Sequence, residues 1–163
     1  MYEYNVNESW LYIMKRRIIL KKILEDNPFE KWNQFIDLLA MEDYKDLTEI
    51  QRVAYLCFWY DSEVQNGGHL QYFVNRGTSL LKETELSLVE LGALQQISIL
   101  SEAINVLCSL GISPIEGIDD YIAEALEGKY CDIDSKYYSC KPTISDLLEK
   151  YFQKYEDEFV LIE

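Results

Sequence analysis

His69 is the chain's one histidine, and with Glu63 and Asn66 it makes the first grouping in which metal or general-base chemistry would be sought. The three residues flank a double glycine and offer one imidazole, with no H-E-x-x-H or Cys/His cluster behind them. Metal ligation is therefore not expected, and His69 is read as a surface residue. Acyl transfer by a Ser/His/Asp set fares no better, because no G-x-S-x-G elbow is present. A G-x-x-x-x-G-K-S/T phosphate loop is also missing. The 29 Asp and Glu residues could supply paired carboxylates for hydrolysis, yet nothing marks out a pair. Cys57, Cys108, Cys131 and Cys140 form no C-x-x-C motif. Free thiols in a reducing cytoplasm are expected, with Cys131–Cys140 the one pairing left open. The chemistry-bearing residues thus point away from an enzyme, a metal or a cofactor.

Charge says more. The chain carries 29 acidic and 15 basic side chains, a net −14. Residues 1–60 have 8 basic and 10 acidic side chains (net −2), and residues 61–163 have 7 and 19 (net −12). Such a field disfavours direct contact with nucleic acid or an anionic membrane and favours a cationic partner. With 48% hydrophobic residues, among them 13 Tyr, 6 Phe and 3 Trp, the chain has the material of a folded core rather than of a disordered acidic tail. The apolar run Ile18–Leu20 is bounded by Lys15, Arg16, Arg17, Lys21 and Lys22, too short for a signal segment or a span, so a cytoplasmic protein is expected.

The elements that must position these groups read as helices. Ile50, Val53, Ala54, Cys57, Tyr60 and Val64 recur at helical spacing over 48–65, and Thr48 with Gln51 has the spacing of a capping box. Residues 94–110 repeat the pattern and stop at Gly111. Residues 143–156 do so behind a box-like Thr143/Asp146 pair, and 80–91 is a shorter candidate. N-terminal helices are expected over 8–25 and 29–41. Pro28, Pro114 and Pro142 fall between these patterns. No stretch alternates convincingly, so no sheet is expected. The reading is all-α: one acidic domain over 1–163, a single-domain helical bundle of about six to eight helices, with N-terminal helices over 1–47 and a core over 48–158.

Residues 61–77 hold the most distinctive string. The pattern predicts a helix ending at Gln65, a stop in which Asn66 and Gly67 take left-handed backbone and Gly68 allows close approach, and then a second short helix. Leu70, Tyr72 and Phe73 give that helix an apolar face, while Gln71 and Asn75, amides four apart, can bond each other or nearby backbone. The first reading is a buried turn fixing the angle between two helices; a ligand pocket built from Gln71, Tyr72 and Asn75 is the alternative.

The string Asn66-Gly67-Gly68-x-x-Gln71-Tyr72-Phe73-x-Asn75 resembles the core signature of a DNA-mimic-protein-like family of small bacterial all-helical proteins. Leu91-Gly92-Ala93 resembles the family's turn before a long helix, and Asp134-x-x-Tyr137-Tyr138 its late acidic-aromatic motif. His69 departs from the pattern, which has an aromatic residue there. The resemblance implies an all-helical fold and, for at least one branch, an acidic surface that occupies the DNA-binding face of a regulator.

Such a surface is sought in 116–134. Asp120, Glu124 and Glu127 lie at i, i+4 and i+7, opposite Ile118, Ile122 and Ala125, with no basic residue from Ile115 to Gly128. Asp119, Asp132 and Asp134 stand beside them, so these six are the expected partner-binding residues. One carboxylate per turn, every ~5.4 Å, is sparser than the phosphates of a DNA strand at ~3.4 Å, so mimicry needs several elements or a two-fold homodimer. The function expected is an acidic module that sequesters a basic DNA-binding protein, with neutralisation of a toxin and a small-ligand or enzymatic role of the Asn66–Asn75 region as alternatives. Trp10–Leu24, with five basic residues, is expected to be dispensable for the contact.

Overall fold

The computed structural model describes residues 14–163. Its elements in chain order are strand β1 (Arg17–Ile19), helices α1 (Lys21–Asp26) and α2 (Glu30–Met41), a 3-10 turn (Tyr44–Asp46), α3 (Glu49–Arg76), α4 (Leu81–Leu91), α5 (Leu94–Leu110), α6 (Ile118–Leu126), α7 (Cys131–Tyr138), α8 (Ile144–Lys154), α9 (Glu156–Phe159) and strand β2 (Val160–Ile162). The fold is all-α, with nine α-helices among the described residues, one above the expected range; α9 is a four-residue turn that periodicity cannot reveal.

Helix α3 is the axis, and α2, α4, α7, α8 and α9 pack against it. Its start follows from local chemistry. The Thr48 hydroxyl accepts from Gln51 N at 3.2 Å, and the Gln51 side chain accepts from Thr48 N at 3.1 Å. The fully buried Gln51 amide then donates to the carbonyls of Lys15 and Glu158, tying both chain ends to the axis. Thr143 and Asp146 cap α8 in the same way. Gly92, in left-handed backbone, ends α4 and turns the chain into α5, as the Leu91-Gly92-Ala93 string implies. An aromatic cluster of Trp32, Phe35, Phe152 and Phe159 closes the end where α2, α8 and α9 meet.

Two expectations are corrected. Over 8–25, residues 8–13 lie outside the described residues, and Arg17–Ile19 is a strand pairing in parallel with Val160–Ile162, so only Lys21–Asp26 is helical. Three-residue strands joined across more than 140 residues leave no alternation to read. This N-terminal segment is also structural: Ile19 is buried, and Arg17 donates to Asp37 and Glu42, both at 2.6 Å. A truncation near Asn27 would therefore remove core as well as charge.

The second correction concerns the break in α3. As the string predicts, two helical segments meet here: between Glu49 and Arg76 the backbone departs from helix at Gly67 (φ −156°) and Gly68 (φ 73°), which kinks α3. The left-handed residue is Gly68, and neither Asn66 nor Gly67 adopts that region. A Cβ would overlap a side chain at either position, the Asp134 carboxylate at Gly68 and the Gln71 amide at Gly67, but only at Gly68 does left-handed strain add to the overlap. Gly68→Ala should therefore lose stability by more than the ~1–2 kcal/mol of left-handed strain alone, and Gly67→Ala by less. Thermal melts of the two variants check this order, and equal melting temperatures would overturn it.

Candidate functional site

The distinctive string closes on itself across the α3 break. The Glu63 carboxylate, before the break, accepts from Gln71 Nε2 at 2.8 Å, Asn75 Nδ2 at 2.8 Å and Arg76 Nε at 3.1 Å, all after it. Gln71 and Asn75 thus converge on one carboxylate instead of bonding each other. The Arg76 guanidinium also lies 3.5 Å from the Trp59 ring centroid, a cation–π contact that holds it in place.

His69 is fully buried, which corrects its reading as a surface residue. The Asp134 carboxylate accepts from His69 Nδ1 at 2.6 Å and from the His69 backbone N–H at 3.0 Å. With Nδ1 as the donor to Asp134, Nε2 is placed to accept the Tyr60 hydroxyl, 2.9 Å away. The late motif completes the knot: Tyr137 donates to Asp61 at 2.7 Å and Tyr138 to the Val64 carbonyl at 3.0 Å. Burial pushes the Tyr60 hydroxyl well above its ordinary range and also raises the Asp61 carboxyl, a rise that the Tyr137 hydroxyl bond opposes. The Asp134–His69–Tyr60 chain has the order of a proton relay, but it ends on a phenol with no exposure to solvent. Of the residues expected to line a ligand pocket, Tyr72 and Asn75 border a cavity of about 150 Å³ with Trp59 and Arg76, and Gln71 does not. That volume is below the usual range for a small-molecule site.

The acidic stretch lies differently from its expected pattern. Glu124 is 3% exposed. It pairs with Lys129 and accepts from the Ser113 backbone N–H at 3.2 Å. Lys129, next after Gly128, also bridges Glu127 at 3.0 Å, so the stripe does have a counter-charge. The Lys129 bond holds the Glu124 carboxyl below its ordinary range, and the same pairing raises Lys129. With Glu124 inward, α6 turns its apolar face out: Ile118 is 69% exposed, Ile122 49% and Leu126 82%. The expected orientation of this helix is thereby reversed. Asp120 sits at the third position of α6 and accepts from the backbone N–H groups of Glu116 and Gly117 at 3.0 and 3.2 Å. Asp119 and Asp132 are exposed in the first turns of α6 and α7, and Glu127 is exposed beside Lys129. Four of the six expected contact residues are therefore exposed, Asp120 and Glu127 with partners inside the chain as well, while Glu124 and Asp134 turn inward.

Lys129 is the residue that sequence reasoning missed, and Glu63, weighed there only as a metal ligand, was missed in its role. Glu63 lies 8, 12 and 13 positions from its partners, spacings that mean nothing until the helix breaks. Lys129 carried a usable signal, since it follows the acid-only stretch directly.

Glu124 contributes stability above its lowered pKa and loses it as pH falls through that value. Removing Lys129 raises the Glu124 pKa toward or beyond the ordinary 4.5, so that contribution is lost at higher pH. Acid unfolding of Lys129→Met, followed by circular dichroism, should therefore begin at higher pH than in the native protein; an unchanged midpoint would contradict the pairing.

Among the described residues, no group of three or more His, Cys, Asp or Glu is placed to hold a metal ion, and no helix is long and apolar enough to cross a membrane. A family model described as DMP19-like protein matches residues 45–155. No curated protein and no solved structure gives a match.

Proposed function

The chain belongs to the DMP19-like protein family, and from that premise we propose that it is an acidic protein-binding module that occupies the DNA-binding surface of a cationic protein. The observation that carries the reading is the net −12 after residue 60, within a family-matched core whose signature residues are engaged internally. A framework bonded internally beneath an acidic exterior is what a binder of basic surfaces requires. The contact residues are Asp119, Asp120, Glu127 and Asp132, whose carboxylates can take the hydrogen bonds that Lys and Arg otherwise give to phosphates. Their combined field also speeds encounter and is screened by salt over about 8 Å at physiological strength.

A second reading has its own support. The outward Ile118, Ile122 and Leu126 are a feature no phosphate backbone imitates, and with flanking acids they suit a protein surface both apolar and basic. Neutralisation of a toxin is the matching function.

The test is a pull-down from native lysate, elution by salt, and titration of the isolated partner. Reversal of Asp119, Glu127 and Asp132 to Lys, with Asp120 left to hold the start of α6, should weaken binding at least about a hundredfold, near 2.7 kcal/mol, with helical content retained. Native affinity should fall steeply with salt, and DNA bearing the partner's site should compete. Binding unaffected by the reversals would contradict the acidic contact. If DNA fails to compete and Leu126→Asp abolishes binding, toxin neutralisation is the better account.

A further inference from the structure

A groove of about 340 Å³ lies between the start of α3, the outer side of α4 and the end of α8, away from every bond described above. Its walls are largely apolar and aromatic: Ile50, Val53, Leu86, Tyr151 and Tyr155 line it, with Ser87, Glu49 and Glu90 completing the lining. The two tyrosine rings sit 4.7 Å apart between centroids, and the buried Tyr151 is fixed by its hydroxyl bond to the Ile50 carbonyl at 3.2 Å. Leu86 is 57% exposed at the opposite wall. Glu49 and Glu90 are both exposed, and among the described residues neither carboxylate makes a hydrogen bond or a close ion pair, although Lys154 feels the charge of Glu90. No basic residue is part of the lining.

We propose that this groove receives an arginine side chain of a protein partner. A planar guanidinium can stack on a tyrosine face while its fixed fork of N–H donors meets carboxylates, and the stem of the side chain covers apolar surface. Those requirements match aromatic rings, unpaired carboxylates and an aliphatic wall in one groove. Lysine fits less well, because its ammonium is strongly hydrated and presents no flat face. The protein already displays the affinity of one wall for cations: Lys154, outside the lining, holds its Nζ 4.6 Å from the Tyr155 centroid, and Glu90 adds to the pull on it. The inference rests on the proposed function in one respect, the cationic nature of the partner.

The probe is N-acetyl-argininamide, titrated into the isotopically labelled protein and followed by NMR, with N-acetyl-citrullinamide as the neutral isostere. Saturable shifts should gather at the amides of Ile50, Val53 and Ser87, and the citrulline compound should not produce them. Glu49→Gln with Glu90→Gln, on exposed and unpaired residues, should keep the fold and weaken the site about tenfold, the worth of one charge-assisted hydrogen bond. N-acetyl-lysinamide should bind more weakly than the arginine compound. Equal binding of the citrulline compound would make the groove an apolar site and overturn the proposal. Shifts spread over Asp119, Asp132 and other surface acids, insensitive to the double substitution, would mean counter-ion attraction alone and overturn it too. Absence of shifts would overturn it as well while leaving the cationic-partner reading intact, since that reading is measured on the α6 and α7 reversals.

Discussion

One carboxylate holds the two halves of the central helix in register. Glu63 sits before the Gly67–Gly68 break and takes three N–H donors from after it. Hydrogen bonds to an ionised acceptor contribute roughly 1.5–3 kcal/mol each, so this one group offsets much of the cost of interrupting a helix. Because α2, α4, α7 and α8 all pack on α3, the angle fixed there sets where each neighbour can lie. The contact of Asp134 with His69 depends on the same geometry, since only glycine at position 68 leaves room for that carboxylate.

The same arrangement divides the acids into two populations. Glu63, Glu124 and Asp134 are drawn inward by Arg76, Lys129 and His69, where they specify packing. Glu156 is taken by Lys31 at 2.7 Å. What is left for a partner is a sparser exterior than the sequence count suggests, and α6 presents fewer carboxylates than its spacing promises. Mimicry of a phosphate backbone must then draw on several elements, and the outward aliphatic stripe of α6 adds an apolar component to any contact.

Features governed by neighbours in sequence were legible. The capping boxes at Thr48/Gln51 and Thr143/Asp146 and the stop at Gly111 depend on residues three or four apart, and the structure has them where spacing puts them. The double-glycine break was legible as a turn, though not which glycine adopts positive φ, because either glycine can take that region and the spacing does not distinguish them. His69 was illegible for the same reason: both its ring partners are tertiary. The facing of α6 was misread because Ile118, Ile122 and Ala125 form an apolar face of the kind that normally turns inward; here Glu124 is buried against Lys129 instead. The β1–β2 pairing joins the two ends of the described chain and leaves no local trace.

The central claim is that the family signature builds the frame and the acidic exterior does the binding. It is tested most directly by measuring stability and partner affinity on one protein, Glu63→Gln combined with Asn75→Ala, held well below its melting temperature. The account predicts a melting temperature lowered by several degrees and an affinity for the salt-eluted partner within about twofold of the native value. Affinity lost with the melting temperature unchanged would contradict it and place the site in the Asn66–Asn75 region itself.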